Sequence, residues 1–214
     1  INDAGGDGGF VFYDAYVRSK AKDLAQSAQG AYTTASSNGR GITIQETGDG
    51  YRVALMARRK TDVLLAGIQE WPEGVFADPT SVEGRGAWFS FAFWLRTIAS
   101  AYLDIDPDEL QSGMRTYQGD GVPYAEVFLC DKLENGAGYC DFLGQSEIFE
   151  ELLRHADPDA RPNGQESIAA QWLSSAHLGE CDTSCNKCLR DYGNMPYHGL
   201  LDWRLALDMA RIAS

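Results

Sequence analysis

Ala87-Trp-Phe-Ser-Phe-Ala-Phe-Trp-Leu95 is apolar at every position except Ser90, and Arg96 is the first charge to interrupt it. A run this uniform has no polar face to give to water, so it predicts a helix from Ala87 to Leu103 placed centrally and covered on nearly every side. It is too short to cross a bilayer, which takes about 20 apolar residues. On its N-terminal side the chain has strand character. Phe10-Val-Phe-Tyr13, Ile42-Thr-Ile-Gln-Glu46, Tyr51-Arg-Val-Ala-Leu-Met56 and Thr61-Asp-Val-Leu-Leu-Ala66 are short, β-prone and separated by Gly-rich or basic turns. Asp78-Pro79 through Gly84-Arg85-Gly86 reads as a loop, and Asp106-Pro107-Asp108-Glu109-Leu110 as a turn leading into a short segment.

On its C-terminal side Tyr124-Ala-Glu-Val-Phe-Leu-Cys130 reads as a buried strand. The turn Glu134-Asn-Gly-Ala-Gly138 then leads into a helix carrying Phe142, Leu143, Ile148, Phe149, Leu152 and Leu153. A further helix sets Ile168, Trp172, Leu173 and Ala176 on one face, and Leu201, Leu205, Met209 and Ile212 stripe the last one. Strands first, then helices around one more strand, predict an α+β fold. Residues 1–82 form the strand-rich part and residues 83–214 the helical part. Both fit one compact C-terminal domain of a longer protein, which an opening at Ile1 rather than Met also leads one to expect.

The chemistry is concentrated in Glu180-Cys-Asp-Thr-Ser-Cys-Asn-Lys-Cys-Leu189, where Cys181, Cys185 and Cys188 place three thiols within eight residues. Thiolates are soft, charged ligands, and a Cys-x-x-Cys turn presents two of them to one ion. The polar residues between them (Asp182, Thr183, Asn186, Lys187) argue against a knot of plain core thiols. The odd total of five cysteines fits a reducing compartment and a metal better than a disulfide framework. Cys-x3-Cys-x2-Cys is also a spacing of iron–sulfur enzymes, but only 26 residues follow Cys188, too few for the barrel such enzymes need. One structural Zn²⁺ is the expectation. Cys140 is its preferred fourth ligand, since it follows a Gly-rich turn at a helix start where the dipole and free N–H groups favour a thiolate. His177, His198 and Cys130 could each supply the fourth donor instead. Four protein donors would close the site, whereas three plus water would make a catalytic one, so a stand-alone zinc metalloenzyme stays the competing reading.

The net charge of −13 lacks the clustered cations that grip phosphates. The basic turn Arg58-Arg59-Lys60 could touch a phosphate, though a solvated turn is the plainer reading of such a run. No Gly-x4-Gly-Lys-Ser/Thr loop is present, so ATPase chemistry would lie elsewhere. The expectation is a fold without a signal peptide, in the cytoplasm.

Val127-Phe-Leu-Cys-Asp131, Glu134-Asn-Gly-Ala-Gly-Tyr-Cys140, the cysteine knot with Leu189-Arg-Asp-Tyr192, and Leu201-Asp-Trp-Arg204 together resemble a known family. It is the C-terminal zinc-binding domain of mitomycin repair factor A-type helicases and of helicase-associated proteins of the bacterial DISARM phage-defence system. The likeness covers roughly residues 60 to 210. It implies a structural-zinc accessory domain in DNA repair or anti-phage defence, without catalysis of its own. It also implies superfamily 2, ATP-dependent motor lobes, in the same chain or a partner subunit, that mainly grip the DNA, with any DNA contact of this domain centred on Arg58, Arg59 and Lys60 and with Trp71 available to stack on a base. The commoner family pattern holds four cysteines in one run; here three lie together and Cys140 would have to supply the fourth.

Overall fold

The computed structural model describes residues 10–19, 25–28, 42–53, 60–119 and 121–214. The chain divides into two compact units, residues 1–58 and 59–214. In the first, β1 (Phe10–Ser19), β2 (Ala25–Ala28) and β3 (Ile42–Val53) form an antiparallel sheet in the order β2-β1-β3. The runs around Ile42 and Tyr51, read separately in the sequence, join as the single long strand β3.

The second unit is built on another antiparallel sheet, ordered β4-β6-β5, from β4 (Val63–Gly67), β5 (Leu110–Gly119) and β6 (Val122–Asp131). Its pairing moves the boundary from the expected 82/83 division to residue 58. Val63 lies opposite Cys130 and Gly67 opposite Glu126, so β4 belongs with the helical unit. Strand β5, expected only as a short segment after a turn, runs the full length of β6 in register from Leu110↔Asp131 to Gly119↔Val122.

Helix α1 (Val82–Leu103) crosses this sheet and packs on both β5 and β6 as well as on the last helix. Trp88, Phe91, Trp94, Leu95 and Ile98 are essentially excluded from solvent, the central position its composition demands. It begins earlier than expected. Ser81 caps it by accepting the Gly84 N–H at 2.9 Å, and Gly84 and Gly86, read as loop glycines, lie inside it. They are there for room: a Cβ on Gly84 would sit 1.8 Å from the Asp78 carbonyl oxygen.

The expected helix from Cys140 to Leu153 is two, α2 (Tyr139–Leu143) and α3 (Ser146–Leu153), and the next is likewise split into α4 (Ile168–Trp172) and α5 (Ser175–Leu178). Ser167 and Ser174 each cap the helix that follows by accepting a backbone N–H; a second N-cap serine inside the apolar pattern is what ends α4. Helix α6 (Trp203–Ala213) starts at the Asp202 cap and buries Trp203, Ala206, Leu207, Met209 and Ala210. The face is set by Trp203 rather than by the expected Leu205 stripe, and Leu205 is 38% exposed. The fold is α+β, and no described helix is long and apolar enough to cross a membrane.

Candidate metal centre

Four side chains converge between α5 and α6: His177, Cys181, Cys185 and Cys188, with their donor atoms all within 4.8 Å of one another. His177 stands on α5, whose last turn runs straight on, the Cys181 N–H bonding the His177 carbonyl at 2.9 Å. A turn then brings the other two thiols round: the Cys185 carbonyl accepts from Cys188 N–H at 3.1 Å and from Arg190 N–H at 3.0 Å. Trp203 N–H on the Thr183 carbonyl at 2.9 Å ties this knuckle to the start of α6.

The distances suit a tetrahedral ion. With Zn–S near 2.3 Å and Zn–N near 2.0–2.1 Å, the edges of a tetrahedron are about 3.8 Å between sulfurs and about 3.6 Å between sulfur and nitrogen. Cys181 Sγ and Cys188 Sγ are 3.8 Å apart, and Cys185 Sγ and His177 Nε2 are 3.6 Å apart. Around the donors the backbone supports thiolates, Cys185 N–H reaching Cys188 Sγ at 3.1 Å and Lys187 N–H reaching Cys185 Sγ at 3.3 Å. The imidazole of His177 is oriented from behind, its Nδ1 lying 2.7 Å from the Trp172 carbonyl oxygen. Its ring sits edge-on to Trp203 at 5.5 Å.

Without an ion the three sulfurs cannot share their charge. Burial, then a hydrogen bond with Cys185 and the nearby Cys188, push the Cys181 thiol up to about 12. Burial likewise raises Cys188. Cys185 alone is lowered: burial works against its thiolate, but the Lys187 N–H and the hydrogen bonds from Cys181 and Cys188 outweigh it. A divalent cation reverses this, because a coordinated thiol is deprotonated outright.

The fourth donor in the group is therefore His177, and Cys140 stands outside it. The helix-start argument for Cys140 fails because another group already uses that helix start. The fully buried Asp131 carboxylate accepts N–H groups from Ala137 at 2.6 Å, Tyr139 at 3.1 Å and Cys140 at 3.0 Å. Burial, then the hydrogen bond to Asp131 and its negative charge, raise the Cys140 thiol far above its usual range. It is a neutral donor to a carboxylate, the opposite of a metal ligand. His198 does not reach the group either, spending Nε2 on Asn194 Oδ1 at 2.8 Å and the Asp191 carbonyl at 3.0 Å. Cys130 lies on the sheet, paired with Val63 and Gln111. The sequence did carry a signal for His177, four residues before Cys181, one helical turn that puts both on the same face.

Of the expected DNA contacts, Arg58 and Arg59 lie outside the described residues. Lys60 is exposed. Trp71 is half-buried, its ring held edge-on against Phe76 at 5.3 Å and Trp88 at 6.0 Å, so it serves as packing beneath the start of α1.

No protein-family model matches the chain. Over 175 residues, 78% of its length, it is 29% identical to the Druantia protein DruE of Escherichia coli (strain UMEA 4076-1) and covers 8% of that protein. The crystal structure of the DUF1998 helicase MrfA bound to DNA aligns with 96% of this chain and 30% of its own, at a TM-score of 0.43 and 9% identity. The chain thus spans a small part of each of these larger proteins.

Proposed function

We propose that this chain is a structural-zinc accessory domain of a bacterial, ATP-dependent superfamily 2 DNA helicase or translocase, acting in DNA repair or anti-phage defence in the cytoplasm. One Zn²⁺ is held by His177, Cys181, Cys185 and Cys188. The observation that carries the reading is the convergence of these four donors within 4.8 Å of one another, two of their separations (3.8 Å and 3.6 Å) matching the edges of a zinc-sized tetrahedron, with His177 fixed from behind. The likeness to DruE across most of the chain and the resemblance of the Asp131, Cys140 and knot motifs to the helicase-associated zinc domain supply the setting.

With four protein donors the ion would keep no open position for water, so it contributes structure rather than hydrolysis. It would tie α5 to α6 and set the surface presented to the motor lobes, in the same polypeptide or a partner subunit. Those lobes carry the ATPase and most of the grip on DNA. Arg58, Arg59 and Lys60 would add a weak contact, which is all that a chain of net charge −13 offers a phosphate backbone.

Metal analysis of the purified chain tests this, together with the spectrum of the cobalt-substituted protein. One zinc per chain and a tetrahedral, thiolate-rich cobalt spectrum insensitive to hydroxamate are expected. Iron with a cluster absorption, or a metal that binds hydroxamate, would replace the reading with an iron–sulfur or a catalytic site.

A further inference from the structure

Leu205, Met209 and Ile212, the stripe that the sequence marks out on α6, line a groove of about 320 Å³ together with Asp208. The four fall at i, i+3, i+4 and i+7 and so share one face of the helix. Val75, Phe76 and the start of α1 supply the rest of the apolar lining. Val75 and Phe76 are each 46% exposed and Leu205 is 38% exposed, so three large apolar side chains meet water around one opening. Single apolar side chains on a surface are ordinary, but a cluster around one groove marks a place for another apolar surface. The groove is also pre-formed. Phe76 rests edge-on against Trp71 at 5.3 Å, Trp71 against the buried Trp88 at 6.0 Å, and Trp88 Nε1–H holds the Ala77 carbonyl at 2.9 Å.

The charge on the lining has one sign. Asp78, Glu83 and Asp208 line the groove, and among the described residues no Lys, Arg or His does. The neighbouring sequence agrees: from Thr61 to Gly84 the chain carries Asp62, Glu70, Glu73, Asp78 and Glu83 and no basic residue. Two arginines stand near but outside the lining. Arg85 is exposed, and Arg211 pairs with Asp208 while also holding the Ala156 carbonyl at 3.0 Å. These charges select the occupant. Phosphates are repelled. Two copies of this chain related by a two-fold axis would bring the patch against itself, acid against acid. A partner whose apolar side chains are bordered by Lys or Arg matches both the groove and its rim.

We propose that this groove seats an amphipathic helix of the motor polypeptide, its apolar stripe flanked by Lys or Arg. The inference rests on the accessory-domain reading above and gives that domain its docking surface. A helix suits the site because the face of α6 repeats every three to four residues, a ridge that a second helix can follow along its length. The apolar contacts hold the helix, while the acidic rim speeds its encounter and rejects acidic partners.

The test uses the full 214-residue chain. Two labelled helical peptides serve as probes, each with the same leucine stripe, one with lysine on its remaining face and the other with glutamate. Fluorescence anisotropy at low and moderate salt measures their binding to the native chain, to Leu205→Ser, to Val75→Ser, and to the double variant Glu83→Gln with Asp208→Asn. The lysine peptide is expected to bind and the glutamate peptide to fail. Affinity for the lysine peptide should fall about tenfold in Leu205→Ser at either salt, and severalfold in the double variant at low salt only. Zinc content and thermal melting show whether each variant is folded; should Leu205→Ser fail, Val75→Ser decides. No binding of either peptide, or equal binding of both, would overturn the proposal. Loss in the double variant without loss in Leu205→Ser or Val75→Ser would mean loose attraction to an acidic surface, and would overturn it too. A native chain that sediments as a dimer and becomes a monomer in Leu205→Ser would give the groove to a second copy instead. The reading beneath fails separately: a chain that binds the lysine peptide in this groove but holds no zinc would sink the structural-zinc domain and leave the docking surface standing.

Discussion

The Nδ1 atom of His177 lies 2.7 Å from the carbonyl oxygen of Trp172, and that hydrogen bond places the ring proton on Nδ1 and the Nε2 lone pair toward Cys185. A ligand prepared in this way should be hard to replace. His177→Ala is expected to weaken zinc binding by more than about 100-fold, beyond the 10–100-fold typical of losing only a group that orients a ligand, whereas His177→Cys should keep the metal. Competition with a chromogenic chelator measures both. Structural zinc contributes about 10–16 kcal/mol of apparent binding energy against a domain stability of about 5–15 kcal/mol. Chelation, or Cys185→Ser, should therefore unfold the α5–α6 region, seen as lost amide protection there.

Cys140 gives the opposite expectation. Its thiol is held protonated by burial and by Asp131, so Cys140→Ala should keep a full complement of zinc. Removing the buried donor should still cost about 1–3 kcal/mol of stability. Metal content and a denaturant melt on the same preparation separate the two effects. Loss of zinc in this variant would return Cys140 to the ligand set.

The contrast between these two residues shows what the sequence made legible. The knot itself could be read, because three ligating residues within one short loop are close whatever the fold does. The central α1 could be read too, since its composition leaves it no exposed face. The fourth donor could not be chosen by local rules. A cysteine at a helix start is a sound candidate until a carboxylate nine residues earlier takes the same N–H groups, and only the turn geometry reveals that. Strand β5 was obscured by Gly113 and Gly119, small because Phe128 and Tyr124 lie over them. The domain boundary was obscured because β4 pairs with β6, some sixty residues ahead.

Asp131 makes a pH prediction with a definite sign. Burial opposes its charge, but hydrogen bonds from the Cys140 thiol and from the backbone of Ala137, Cys140 and Tyr139 win, and its pKa is lowered on folding. A lowered carboxylate contributes stability that is complete above its unfolded value, near 3.9, and is lost as pH falls through the folded value. Asp131→Asn should cost about 1.5–3 kcal/mol at pH 7, the range for hydrogen bonds to a charged group. That deficit should shrink below pH 4 as the native protein loses the same contribution. Acid release of a zinc ion would be common to both proteins and would cancel in the difference between their melts. A deficit that stayed constant from pH 7 to pH 3 would mean that the charge of Asp131 is not what holds the turn.

Gly84 reverses an ordinary rule. In a helix interior Gly→Ala normally stabilises by about 1 kcal/mol, since alanine loses less backbone entropy. Here a Cβ would fall 1.8 Å from the Asp78 carbonyl oxygen and 2.8 Å from the Asp78 nitrogen, and backbone atoms cannot swing aside as a side chain can. Nor is the Asp78 segment free to yield. Its carbonyl accepts the Ser81 N–H at 3.1 Å and the Ser81 hydroxyl at 2.9 Å, and that hydroxyl is the cap of α1. Admitting the methyl group means breaking this turn or displacing the first turn of α1, beneath which Trp88 Nε1–H holds the Ala77 carbonyl at 2.9 Å. Gly84→Ala should therefore destabilise by about 1–3 kcal/mol, the scale of overpacking in a tight interior, measured as a lower denaturant midpoint at constant slope. Gly74→Ala serves as the control, being in open space with a φ of +78°; it should cost only the strain of a left-handed alanine, about 1 kcal/mol. An unchanged or raised midpoint for Gly84→Ala would show that the approach of Asp78 to α1 is not fixed in solution.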